Sequence, residues 1–162
     1  MSGRGYTGWF DGRLVGLMSE ADYDRLAARL AGAWIGLHFA DPTAQPASMT
    51  ATDVAARLVR LKEEVAARKL LSVAFPFTYV RDPDAPTMIK LYDPRACGSG
   101  CSTSSPQPWW VFSTVAPSGA EVADLRRRFA PPAPSGFFTR LFGRRPRLSA
   151  TMSLSWNGTN DR

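Results

Sequence analysis

Two cysteines four residues apart, Cys97 and Cys101, lie in the stretch "LYDPRACGSGCSTSSPQPWW" between Leu91 and Trp110. A thiolate is both a nucleophile and a soft-metal ligand. Glycines on either side of Ser99 make the intervening backbone pliable enough to bring two sulfurs together. The pair therefore suits redox exchange, or capture of zinc, copper or an iron–sulfur cluster, beside the charge of Arg95. Ligand supply restrains that reading. A tetrahedral zinc or an iron–sulfur cluster wants about four protein ligands, whereas the chain holds two cysteines and one histidine, His38. Carboxylates such as Asp93, or a second copy across a dimer axis, would have to complete the set. The spacing also differs from the C-x-x-C of thiol oxidoreductases. A connecting loop with two packed cysteines and no cofactor ranks first, and a thiol site second.

The same loop offers an anion nest through the backbone N–H groups of "GSGCSTSS". It matches neither a Walker A sequence nor G-x-G-x-x-G, and no helix follows to aim its N-terminus at an anion. His38 lies in an apolar segment and reads as a structural residue. The acid pairs Glu63 with Glu64 and Asp82 with Asp84 fall on a helix surface and in a turn, where solvation explains them. Asn157-Gly158-Thr159 matches a glycosylation acceptor, but the start "MSGRGYTGWFDGR" shows no secretory leader. These residues form no catalytic constellation, and the sequence leans away from an enzyme.

Charge singles out the C-terminal part. The chain carries a formal net charge of +6 over 162 residues, and residues 118–162 hold eight arginines against three acids. Within them, "APPAPSG" reads as a proline-marked linker. On a helical projection Phe137, Phe138, Leu141 and Phe142 then share one face, with Arg140, Arg144 and Arg145 opposite or following. Such a basic amphipathic segment either folds back to cover apolar surface of its own domain or, first among the functional readings, enters a groove on another protein. An anionic membrane surface and nucleic-acid phosphates rank below it, because a nucleic-acid face should show basic residues on the body too. Trp109 and Trp110 are neighbours on an expected strand and should point to opposite faces, which leaves Trp110 either as a second anchor for a partner or as a site covered by the protein's own tail.

The elements that must position these residues are legible from periodicity. Ser19 with Asp22 opens a helix over about 20–31. "AWIGLHFAD" either prolongs that helix or forms a strand. Thr50 or Thr52 caps a second helix with the inward stripe Val54, Leu58, Leu61 and Val65. From Leu70 to Val80 the period becomes two, which predicts a strand burying Leu71, Val73, Phe75, Phe77 and Tyr79, with Pro76 marking an edge or a bulge. "TMIKLY" and "PWWVFSTV" supply two more strands, and "YTGWFDGRLVGLM" a further strand or hairpin. Ser118 with Glu121 opens a closing helix that buries Val122, Leu125 and Phe129.

The expected architecture is α+β: an antiparallel sheet of three to five strands with about three helices on one face, forming a single domain over 1–130, then a linker and basic tail over 131–162. No apolar run approaches the roughly 20 residues of a membrane span. The arginine and alanine bias is usual in GC-rich bacterial genomes, and free thiols fit a cytoplasmic location. The functional expectation is a non-catalytic accessory or adaptor protein that binds a larger protein partner through Trp110 and the tail.

Overall fold

A computed structural model describes residues 5–69, 73–97 and 106–130. The fold is α+β, with one antiparallel sheet and five helices among the described residues. In chain order the elements are α1 (Tyr6–Phe10), β1 (Val15–Gly16), α2 (Glu20–Ala28), β2 (Ala33–His38), β3 (Ala47–Thr50), α3 (Ala51–Ala67), β4 (Phe77–Arg81), β5 (Met88–Tyr92), α4 (Pro94–Cys97), β6 (Trp110–Ser113) and α5 (Gly119–Phe129). The strands lie in the order β1-β4-β5-β6-β2-β3, and every neighbouring pair is antiparallel.

The helix starts follow local chemistry. Ser19 Oγ accepts the Asp22 N–H at the head of α2. Thr50, rather than Thr52, opens α3 with a full capping box to Asp53, and Ser118 does the same for α5 with Glu121. Val54, Leu58, Leu61 and Val65 are all buried, as the stripe required.

Helices cover both faces of the sheet, which corrects the one-face expectation. Tyr23 and Leu26 of α2 and the α3 stripe pack with Trp34, Val80, Ile89, Leu91 and Phe112. Tyr6 and Phe10 of α1 and Val122 and Leu125 of α5 pack with Leu37, Met88 and Val111 on the opposite face. β5 shows the reason most directly: Met88, Ile89, Lys90 and Leu91 are consecutive and all buried. A half-solvated strand would alternate; one covered on both sides does not.

The structure also reverses the phase expected for β4. Val73 and Phe75 do pack toward the α2/α3 core, Phe75 lying 5.6 Å from the Tyr23 ring. Pro76 then interrupts the ladder, its carbonyl accepting the Thr78 hydroxyl at 2.8 Å. The strand that begins at Phe77 buries Thr78 and Val80 and leaves Phe77 and Tyr79 outside. A slip of one residue exchanges the two faces. β4 is not an edge either, since it lies between β1 and β5. Leu71 falls outside the described residues.

Gly36, inside β2, lets β2, β3 and β6 close up. A Cβ there would meet Met49 Sδ and, at 3.3 Å, the ring of its cross-strand neighbour Phe112. Gly36→Val is therefore expected to cost about 1–3 kcal/mol, the usual penalty of overpacking, measured by urea unfolding. A neutral result would show slack between β3 and β6.

Candidate functional site

The cysteine stretch begins where β5 ends. Asp93 follows the strand, and its carboxylate receives Arg95 through the backbone N–H at 2.9 Å and the guanidinium at 2.8 Å, and Arg68 of α3 at 3.0 Å. Burial pushes the Asp93 carboxyl up, but these hydrogen bonds and charges outweigh it and hold the group below its usual range. Asp93 is thus committed to two arginines, and Arg95 to Asp93. Cys97 ends α4, and Cys101 lies outside the described residues. Among the described residues no group of three or more His, Cys, Asp or Glu side chains is placed to hold a metal ion.

Trp109 and Trp110 do not divide between the faces. Trp109 precedes β6 and belongs to the α2/α3 core, with the Arg68 guanidinium 5.1 Å from its ring. Trp110, the first residue of β6, packs partly buried against the same core. Its ring stacks on His38, its cross-strand partner, at 4.6 Å and nearly parallel, and Arg57 of α3 approaches it to 4.8 Å. Burial lowers the proton affinity of His38, with Asp41 opposing and Arg57 reinforcing the effect, so the stack is favoured with a neutral imidazole.

The basic end of α5 is engaged within the domain. Arg126 donates to the carbonyls of Asp41, Pro42 and Ala44 at 2.7–3.0 Å, Arg127 pairs with Asp124, and Arg128 grips Asp11 with both terminal nitrogens. Phe137, Phe138, Arg140, Leu141, Phe142, Arg144 and Arg145 lie outside the described residues. No helix among the described residues is long and apolar enough to cross a membrane.

Two features escaped the sequence reading. The first is an exposed aromatic pair. Phe77 and Tyr79 on β4 are 40% and 44% exposed, and Tyr79 meets Tyr92 of β5 edge to face at 5.6 Å. By the pleat they share a face with Lys90, on the α1/α5 side. The second is a pair of cations under α1. Lys90 Nζ donates to the Phe10 carbonyl at 2.6 Å and sits 3.3 Å above the Phe10 ring, and Arg81 donates to the Trp9 carbonyl. Two adjacent strands thereby reach carbonyls at the C-terminal end of α1: Lys90 takes that of Phe10, and Arg81 joins the Gly12 N–H on that of Trp9. Burial pushes the Lys90 ammonium down to about 8, Asp11 opposing and Arg128 and Arg81 adding to the shift. A lysine between Ile89 and Leu91 was the signal available in the sequence.

No known protein family, curated protein or solved structure matches the chain.

Proposed function

We propose that this protein is a non-catalytic accessory protein that engages a larger protein partner. The observation that carries the reading is the Phe77 and Tyr79 pair, two large rings fixed on a paired strand and left open to solvent. Rigid exposed aromatics lose little entropy on binding and are common energetic centres of interfaces. The basic segment with Phe137, Phe138, Leu141 and Phe142 beside Arg140, Arg144 and Arg145 supplies a second contact by its composition.

The test compares the full chain with a Phe77→Ser, Tyr79→Ser variant and with a variant reversing charge at Arg140, Arg144 and Arg145. The partner is first identified by cross-linking and then purified. The aromatic variant is expected to bind that partner at least about tenfold more weakly, with thermal unfolding lowered by the lost Tyr79–Tyr92 contact but the chain still folded at the binding temperature. Charge reversal should weaken binding more at low salt than at high, because exposed charges are screened over about 10 Å at 0.1 M salt. Undiminished binding in both variants would sink the proposal. Stoichiometric zinc, iron or copper in the parent, lost from a Cys97→Ser, Cys101→Ser variant, would replace it with a thiol site.

A further inference from the structure

The sheet has two edges, and they are finished differently. At β3, Pro46 has no N–H to give, and the Thr50 N–H is turned to the Asp53 carboxylate at 2.8 Å. Backbone groups alternate in direction along an antiparallel strand. Ser48 is then the one residue of that edge with an outward N–H to spare. A proline and a capping box close the edge against a further strand.

The β1 edge lacks those devices. Val15 pairs with Val80, and the Leu17 N–H reaches the Thr78 carbonyl at 2.9 Å, so the backbone groups of Val15 and Leu17 face β4. Those of Leu14, Gly16 and Met18 therefore face outward. Residues 14–18 contain neither a charge nor a proline. Val15 is 46% and Met18 90% exposed. β1 itself is two residues long, but with the Leu17 amide also bonded to β4 the extended run is uncharged and apolar, which makes it a template for another strand.

We propose that this edge is a self-association surface, on which a second copy of the chain adds its own β1 antiparallel and joins two six-stranded sheets into one. The choice of occupant comes from the segment's complementarity to itself. With Gly16 opposite Gly16 of the second copy, Leu14 falls opposite Met18, so every outward-facing backbone group meets another. Val15 then lies opposite Leu17 of the second copy, on the α2 face. There a recess of about 80 Å³, lined by Leu17, Leu26 and Pro83 with Asp22, Arg25 and Arg29, receives the incoming valine. The charges that end the apolar run are opposite in sign, Arg13 before it and Glu20 after it. In that register Arg13 falls opposite Ser19 of the second copy, one residue before its Glu20, so no like charges face each other across the two-fold axis. Glycine at the axis lets the two backbones approach without a side chain between them.

This inference does not rest on the partner reading, and it is tested with the purified full chain alone. Sedimentation equilibrium over roughly 5–300 µM, the range where small interfaces associate, is expected to show a monomer–dimer equilibrium. Val15→Lys and Met18→Lys, each placing like charges near the two-fold axis, should weaken it at least about tenfold without changing thermal unfolding at the lowest concentration. Hydrogen exchange at the Gly16 and Met18 amides of the parent should slow as concentration rises. A chain that stays monomeric throughout, a dimer indifferent to both lysines, or amides whose exchange ignores concentration would each overturn the proposal.

Discussion

Phe10→Ala is expected to remove about 3–5 kcal/mol of stability, the usual cost of emptying a buried phenylalanine site. That is a large part of the roughly 5–15 kcal/mol by which domains are stable. Phe10 is fully buried, and its ring lies 6.0 Å from Phe39, 6.1 Å from Phe129 and 6.4 Å from Tyr6, with Lys90 Nζ above it. A five-residue helix has almost no stability of its own. α1 persists because its one turn is fastened from several sides. Its first N–H meets Glu121 at 2.7 Å, the Tyr6 hydroxyl meets Ser113 Oγ at 3.2 Å, and its last carbonyls meet Arg81 and Lys90. Urea unfolding followed by circular dichroism gives the number. A loss below about 1 kcal/mol would mean that α1 is an ornament rather than part of the core that residues 5–130 share.

Lys90 makes stability depend on pH in a direction opposite to most surface lysines. Its folded value is about 8, against 10.5 for the free side chain. Below pH 8 both states carry the proton, and the fold bears the whole cost of a 5%-exposed ammonium. Between about 8 and 10.5 the folded chain releases the proton while the unfolded chain keeps it, so stability rises with pH across that window. The full difference amounts to roughly 3 kcal/mol. Tyr6 and Tyr23 act the other way. Burial raises both phenols above 10, so the unfolded chain ionises first and stability falls beyond that point. The net expectation is a climb from pH 8 to near 10, followed by a decline. In Lys90→Met the climb should vanish while the decline persists, as read from urea midpoints at several pH values. A parent curve flat between 8 and 10 would show that solvent reaches Lys90.

Local signals were legible, and signals that depend on coverage were not. Ser19, Thr50 and Ser118 announce their helices because a cap and its partner lie within one turn. Val54, Leu58, Leu61 and Val65 announce a face because only one side of α3 is buried. The Phe77 and Tyr79 pair was misread for a physical reason. The odd residues Val73 and Phe75 do face the core, and alternation carried past Pro76 would keep Phe77 and Tyr79 with them, but the proline resets the phase. α1 is too short for a period of 3.6 to register in "YTGWF". β3 hides in the breaker-rich run before Thr50, since its four residues are mostly exposed and its apolar side consists of Ala47 and Met49 alone, too short an alternation to register. Cover on both faces erased the alternation in "MIKLY" that would have identified which side Lys90 takes.

The fastening of α1 also sets an order of events during synthesis. Tyr6 and Glu121 are 115 positions apart, and Asp11 and Arg128 are 117 apart. Among the described residues, the first helix to leave the ribosome, α1, therefore closes onto the last, α5. At roughly 5–20 residues per second, residues 6–10 wait on the order of ten seconds for α5. Throughout that interval Phe10 and the sheet face it covers stand open together. The Tyr6–Glu121 and Asp11–Arg128 contacts span nearly the whole domain, so their loop closure comes late and slowly. The clasp between α1 and α5 thus joins residues more than a hundred positions apart, and a nascent chain halted before Glu121 would present an unfinished apolar face to whatever is nearby.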